Sequence, residues 1–258
     1  MRLLPDDSVP LVVTSPPFGS IREYGGHPFY FRPMARELLR VVDAGGVVCW
    51  HVQDQIADCA ESGESYRQVL YFLELGFRLH TTLAIDARAG GRFAFRYGQA
   101  IQHLFVFSKG RPDVFEPIRD VPNGDAGKLR VFRDRDADGR RSAPRTVRIS
   151  EYRKRGTVWT YRRNRSSDGA AKVHPATMPE ALARDVIRTW SRPGQLVLDP
   201  MSGSGTTAKA ASLEGRRYLG FEVNREYHDF AAGRLEAANG LSASRRSGGR
   251  TNDGGPTP

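Results

Sequence analysis

Residues 195–207 read Gln195-Leu196-Val197-Leu198-Asp199-Pro200-Met201-Ser202-Gly203-Ser204-Gly205-Thr206-Thr207. Gln195 to Asp199 carries the short apolar run of a buried strand, and Thr206 to Leu213 carries a helical pattern. Between them the glycines let backbone approach a ligand closely, and the helix start offers N–H groups with no partner in their own helix. Strand, glycine loop and helix in this order is shared by several cofactor-binding α/β folds. A Walker phosphate loop needs lysine after its last glycine, and Gly205 is followed by Thr206. A dinucleotide fingerprint wants a third glycine where Ala208 stands, which some variants allow. Glu222 follows Gly205 by 17 residues and ends the next predicted strand, Arg217 to Glu222. There its carboxylate can accept hydrogen bonds from ribose hydroxyls. The alternative is a tight turn with a surface carboxylate.

Working outward, Val9 to Thr14, Val47 to Gln53, Phe77 to Ile85 and His103 to Ser108 read as further strands. Their near-continuous apolarity is that of parallel strands buried on both faces. Met34, Leu38, Val41 and Val42 recur at helical spacing, as do Tyr66, Val69, Leu70 and Leu73, with Asp43-Ala44-Gly45-Gly46 and Gly76 as glycine caps. Met178, Leu182, Val186 and Trp190 form another helical stripe, and Tyr227, Phe230, Ala231 and Leu235 mark a last helix. Residues 110–171 break the pattern with Pro112, Pro117, Pro122, Asn123-Gly124 and Asp138-Gly139. The reading is a doubly wound α/β domain with a mostly parallel sheet and a basic, irregular insertion. Its two halves are 1–109 and 172–240, the insertion is 110–171, and 241–258 is expected to be a disordered tail, since Ser242 to Pro258 lacks the apolar residues that would order it.

The chain has 258 residues, enough for one sizeable domain with an insertion. No apolar run approaches the ~18–20 residues of a membrane helix, and Asp6 and Asp7 stand where a signal peptide would be apolar. The expectation is therefore a cytoplasmic protein. Cys49 and Cys59 are too few for a disulfide framework or a four-thiolate zinc site. Net charge is +10, and only five of 39 cations are lysine. A GC-rich genome gives such a bias, and so does an anionic polymer partner. Position separates the two. Residues 139–165 hold ten cations and one acid, so the other 231 residues net only +1. Within that stretch Glu151 to Arg165 interleaves Tyr152, Trp159 and Tyr161 with cations, a pattern suited to phosphates, guanine edges and base stacking.

Thr14-Ser15-Pro16-Pro17-Phe18 ends the first strand. Two prolines remove two N–H donors, so the loop presents carbonyls, a hydroxyl and an aromatic ring. That group suits accepting hydrogen bonds from an amine while stacking on a flat ring, although a bare Ser-Pro-Pro is more often a turn. Cys49 in an apolar strand and Cys59 near a helix read as core and surface thiols. His174 has no second ligand at i+3 or i+4 for a metal. Trp50, Gln53 and Asp54 either line a pocket or, for Trp50, fill the core.

TSPPF and LDPMSGSGTT, in this order, resemble the beta-group DNA amino-methyltransferases, which methylate cytosine N4 or adenine N6. Lys172-Val173-His174-Pro175-Ala176-Thr177-Met178-Pro179, Arg216 to Glu222, Tyr227 and Arg234 extend the similarity over roughly residues 5–108 and 172–238. The resemblance implies a Rossmann-like methyltransferase sheet, here without its third strand because the chain starts almost at Leu4-Pro5-Asp6-Asp7-Ser8. It implies S-adenosyl-L-methionine as cofactor, no metal, and Ser15, Pro16, Pro17 and Phe18 as the catalytic group. It implies that Asp199, Pro200, Ser202, Gly203, Ser204, Gly205, Thr206, Thr207 and Glu222 bind cofactor, with Lys172 and His174 closing the methionine pocket. The insertion would recognise double-stranded DNA through Arg140, Arg141, Arg145, Arg148, Arg153, Lys154, Arg155, Trp159, Arg162, Arg163 and Arg165. The target would be flipped out of the duplex. Ser15 favours cytosine N4 over adenine N6; an RNA methyltransferase and a catalytically silent DNA-binding module are the other readings. Such enzymes are prokaryotic or phage-encoded, and their partners include a second copy of the chain and a companion restriction nuclease.

Overall fold

The structure, a computed structural model, describes residues 1–17, 28–86, 95–135, 138–161, 169–173 and 177–247, with backbone alone for 171, 172 and 239–247. In chain order the elements are β1 (Val9–Thr14), α1 (Phe31–Val41), β2 (Val42–Val52), β3 (Ile56–Ala57), β4 (Ala60–Glu61), α2 (Glu64–Glu74), β5 (Arg78–Asp86) and β6 (Ile101–Ser108). There follow β7 (Arg119–Pro122), β8 (Leu129–Phe132), β9 (Arg145–Arg148), β10 (Tyr152–Lys154), β11 (Val158–Thr160), α3 (Ala170–Val173), α4 (Glu180–Trp190), β12 (Leu196–Asp199), α5 (Thr206–Leu213), β13 (Arg217–Gly220) and α6 (Arg225–Ser247). They form two compact units, one of residues 1–116 with 158 onward and one of residues 117–157.

The larger unit is built on a seven-stranded sheet in the order β11-β5-β6-β2-β1-β12-β13. Pairing is parallel except on the two sides of β6, which runs antiparallel to β2 and β5. Among the described residues β13 is the edge, and no strand lies beyond it. Alternate residues of a strand point to opposite faces, and both sets are buried. Val12, Val48, Trp50, Phe105 and Phe107 pack with Ala35, Leu38, Val69 and Phe72 of α1 and α2. Leu11, Val13, Cys49 and Val106 are buried on the other side, where α4 lies against β1. Among the described residues no helix is long and apolar enough to cross a membrane.

Several local expectations are corrected. Helix α1 does not end on a glycine cap: Val42 is extended and begins β2 directly. Its last carbonyls instead accept from Asp7 N (3.0 Å), Ser8 N (2.8 Å) and Lys109 Nζ (3.0 Å to Leu39 O). The buried residues of α2 are Ser65, Gln68, Val69 and Phe72, while Tyr66, Leu70 and Leu73 of the predicted stripe are exposed. The insertion is not irregular. Its compact part, 117–157, holds two antiparallel ribbons, β7 with β10 and β8 with β9, and the chain has rejoined the main sheet by β11. Residues expected to be unstructured from 241 continue α6 to Ser247, since Ala, Ser and Arg tolerate a helix and no glycine interrupts them before 248.

Candidate active site

The carboxyl ends of β1 and β12 lie side by side, with Val12 opposite Leu198. Two residues past that pairing, Thr14 Oγ1 donates to Asp199 Oδ1 at 2.7 Å. The bond is buried, and Met201 N donates to the same oxygen at 3.1 Å. Burial pushes the Asp199 carboxyl up to about 6, against the hydrogen bonds from Thr14, Thr207 and Met201 and with help from the nearby Glu222 charge. Ser15 and the two prolines leave β1 directly after this bond, so the loop expected to be catalytic starts from a point fixed to the glycine loop.

That loop needs its glycines. Gly205 sits at φ +75°, and a Cβ there would fall 2.8 Å from Ala231 Cβ of α6. The close approach lets the buried Arg234 of α6 reach back: its Nη1 donates to the Ser204 carbonyl and lies 3.4 Å from both Ser204 Oγ and Thr206 Oγ1. Glu222 holds the other side of the loop. Its Oε2 accepts from Gly203 N at 2.7 Å and its Oε1 from Asn224 N at 2.9 Å. Asn224 in turn caps α6 by accepting from Glu226 N and Tyr227 N. Each Glu222 oxygen keeps a lone pair for a further donor.

These walls enclose a cavity of about 540 Å³. It brings Ser15 and Pro17 together with Asp199, Pro200, Ser202, Gly203, Ser204, Thr206, Thr207 and Glu222. Gly205 and Pro16 stand behind the wall, Pro16 with its ring buried. Phe18 and His174 lie outside the described residues, as does the Lys172 side chain; Thr177 and Met178 line the cavity. Phe29, Tyr30, Met34 and Phe221 supply an apolar side. Sequence reasoning missed Met1 and Arg2, which also line it. Arg40 holds their segment by donating to Met1 O (3.1 Å), Leu4 O (2.8 Å) and Asp6 (2.7 Å), and Glu37 orients Arg40 with both carboxylate oxygens. No local signal marks that arginine. A volume of several hundred Å³, apolar on one side and polar on the other, suits a nucleoside-sized ligand. The α5 start would face an anionic end, Glu222 a pair of hydroxyls and Asp199 a cation.

Beyond Ser15 the same sheet edge continues through β2 and β6. Trp50 is wholly buried, donating to Gln68 Oε1 at 2.8 Å, so it belongs to the core. Asp54 is also buried. It accepts from Ser62 Oγ at 2.7 Å, and from Ser65 N at 3.1 Å in the first turn of α2. Burial pushes its pKa up, but the hydrogen bonds from Ser65 and Ser62 outweigh that and hold the carboxyl below its ordinary value. Gln53 belongs to an amide chain missed in the sequence: Gln102 Nε2 donates to Gln53 Oε1 (3.0 Å), and Gln53 Nε2 donates to Gln99 Oε1 (2.7 Å). Beside it, burial pushes His51 down to about 4, so the ring is neutral. Cys49 is buried and its thiol pushed up by burial; Cys59 is exposed in the β3–β4 turn. Among the described residues no three His, Cys, Asp or Glu side chains cluster to hold a metal ion.

In the small unit the expected DNA-contacting cations divide. Arg155 is held by both oxygens of Asp120 (Nε at 2.9 Å), Arg145 pairs with Asp134 at 3.2 Å over the Phe132 ring, and Arg148 donates to Gly127 O. Arg140 is exposed at the turn before β9. Arg141 is bridged opposite Arg135, and Lys154 stands opposite Arg119; Arg153 shares that ribbon. Like charges directly opposite weaken a ribbon, so these two pairs are held against their own repulsion. Trp159 lies in β11 of the main sheet at 7% exposure, not in the basic unit. Arg162, Arg163 and Arg165 lie outside the described residues.

Comparison with known proteins bears on the whole chain. The family described as DNA methylase matches residues 9–233. The orphan methyltransferase M.BamHII of Bacillus amyloliquefaciens is 39% identical over 242 residues, covering 90% of both chains. The DNA adenine methyltransferase YhdJ of Escherichia coli K12 is 41% identical over 88 residues, 34% of this chain and 30% of its own. Among solved structures, the cytosine-N4-specific PvuII DNA methyltransferase superposes with a TM-score of 0.64 at 20% identity, over 94% of this chain and 87% of its own.

Proposed function

This chain belongs to the DNA methylase family, and from that premise we propose that it methylates an exocyclic amino group of DNA, at cytosine N4, with S-adenosyl-L-methionine as donor. The observation that carries the reading is the cavity shared by Ser15, Pro17, Asp199 and Glu222, with Thr14 of the adjacent strand bonded to Asp199. When bound, the cofactor supplies a methyl group on a positively charged sulfur. The chain's own residues do the rest. Glu222 accepts from the ribose hydroxyls, the α5 start takes the carboxylate, and Asp199 faces the ammonium group. The apolar side formed by Tyr30, Met34 and Phe221 receives the adenine ring.

An amino group paired inside a duplex is out of reach, so the base is extruded into the site. Ser15 Oγ accepts one of its N–H bonds. The proline-rich loop offers carbonyls without competing donors, and both contacts draw the nitrogen lone pair away from the ring. With the donor held by these residues, transfer would be a direct displacement in which positioning supplies most of the rate. The nitrogen would gain the methyl group as the carbon–sulfur bond breaks with its electron pair left on a neutral sulfur, and would release one proton to solvent. The cations of the small unit hold the duplex by its phosphates.

Ser15 carries the choice of base: a neutral hydroxyl stands where adenine enzymes of the resembling group mostly have Asp or Asn. Purified chain is incubated with the donor and duplex DNA, single strands or RNA, and the nucleosides are separated by mass spectrometry. N4-methylcytosine from duplex DNA is expected. N6-methyladenine alone overturns the base choice, and no methylated nucleoside from any substrate overturns the reading.

A further inference from the structure

Phe95 and Tyr97 are the most exposed aromatic side chains among the described residues, at 89% and 96%. Their neighbours are held firmly. Arg96, between them, donates to Glu61 Oε1 at 2.8 Å and to the Tyr97 carbonyl at 3.2 Å, and only 15% of its side chain is exposed. Gln99, two residues on, accepts from Gln53. The chain is thus anchored on both sides of Tyr97, while among the described residues neither ring has an aromatic partner. A large apolar surface presented from a fixed backbone marks a contact with something else.

Position names the partner. β2 pairs in parallel with β1 so that Trp50 faces Thr14, and Gln53, just past the end of β2, lies at the same carboxyl edge of the sheet as the Ser15–Pro17 loop. Tyr97 is two residues of chain, at most about 7 Å between Cα atoms, from Gln99, whose side chain is bonded to Gln53. The rings therefore stand at the part of the edge where, on the reading above, a base leaves its duplex. Extrusion leaves a gap whose upper and lower faces are the π surfaces of the neighbouring bases. Flat aromatic side chains are the chemistry that fills such a gap.

We propose that Phe95 and Tyr97 enter the duplex at the vacated position and stack on the flanking bases, holding the target base out. The proposal rests on the methylase reading, and its test keeps the two apart. The double variant Phe95→Ala, Tyr97→Ala changes only exposed surface, and unchanged donor affinity by calorimetry reports an intact fold. Its methylation rate on duplex DNA is expected to fall at least about tenfold, the order of effect of removing one aromatic–base stack. On the same sequence as a single strand, where nothing has to be extruded, the loss is expected to stay below about threefold. Tyr97→Trp in the Phe95→Ala background should recover much of the duplex rate. With 2-aminopurine at the target position, wild type should raise the fluorescence of the duplex and the double variant should not. Equal losses on duplex and single strand overturn the proposal, as does a duplex rate within about twofold of wild type. An altered oligomeric state at full duplex rate also overturns it and assigns the rings to contact between copies of the chain. If wild type methylates neither substrate, the methylase reading itself fails and this proposal with it.

Discussion

Asp199→Asn separates the two demands placed on the buried carboxylate. In the wild type its pKa rises from the ordinary 3.8 to about 6, chiefly through burial. A carboxylate raised on folding binds its proton more tightly in the folded state. Its effect on stability is therefore absent below about pH 4, where both states are protonated, and grows unfavourable as pH rises to about 6. The shift of some two units corresponds to about 3 kcal/mol. Asparagine is never charged, and its Oδ1 can still accept from Thr14 and Met201. Asp199→Asn should thus be more stable than wild type at pH 8 by up to about 3 kcal/mol, with the gap closing between pH 6 and pH 4. Urea unfolding of both proteins at several pH values measures it. The same variant should lose donor binding, because the cation that offsets the buried charge no longer has its counter-charge. In wild type, binding near pH 6 should release a proton, visible as a buffer-dependent binding enthalpy. A stability difference that does not change with pH would refute the reasoning.

Glu222→Ala removes the acceptor for Gly203 N and Asn224 N and, on the proposed reading, for the ribose, and should weaken donor binding by about 1–3 kcal/mol in calorimetry. Arg234→Met leaves the Ser204 carbonyl without its buried donor; unfolding free energy should fall by about 1–3 kcal/mol, and donor affinity should fall with it. Arg119→Gln with Lys154→Gln should flatten the slope of log affinity for duplex DNA against log salt by about 1.8, because two phosphates are no longer neutralised. Arg155→Gln, whose guanidinium is engaged by Asp120, should leave that slope nearly unchanged.

What the sequence disclosed is what local pattern can carry. The glycine loop, the strands leading into and out of it and the Ser-Pro-Pro loop are each contained in about ten residues, and their order along the chain was enough to suggest the family. An apolar run carries no direction, so nothing in His103 to Ser108 marked β6 as antiparallel. The inward face of α2 was misread because Ser65 and Gln68 are satisfied by Asp54 and Trp50, partners the strand brings from a distance. β8 and β9 are exposed at nearly every position, so Arg130, Arg145 and Arg148 stand beside Val131 and Val147 with no buried face to mark either segment as a strand. Arg234 and Arg40 act on residues about thirty or more positions away, and no spacing rule points to them.

The link between Thr14 and Asp199 has a consequence for how the two halves of the site act. Thr14 can donate to a charged carboxylate or to the carbonyl oxygen of a protonated one, but the first bond is shorter and roughly twice as strong. A cation bound at Asp199 favours the charged form and so tightens the anchor from which Ser15, Pro16 and Pro17 depart. On the proposed function, the Ser15–Pro17 loop is then held most firmly when the donor is in place, and an extruded base would meet acceptors that are already set. Thr14→Val keeps the shape of the buried strand end and removes only the hydroxyl. It should leave donor affinity within about 1.5 kcal/mol of wild type, the worth of one hydrogen bond, while lowering the turnover of duplex DNA more than the binding loss explains. Donor titrations and single-turnover methylation of the two proteins distinguish this from a purely structural bond, for which turnover would fall only as far as binding does.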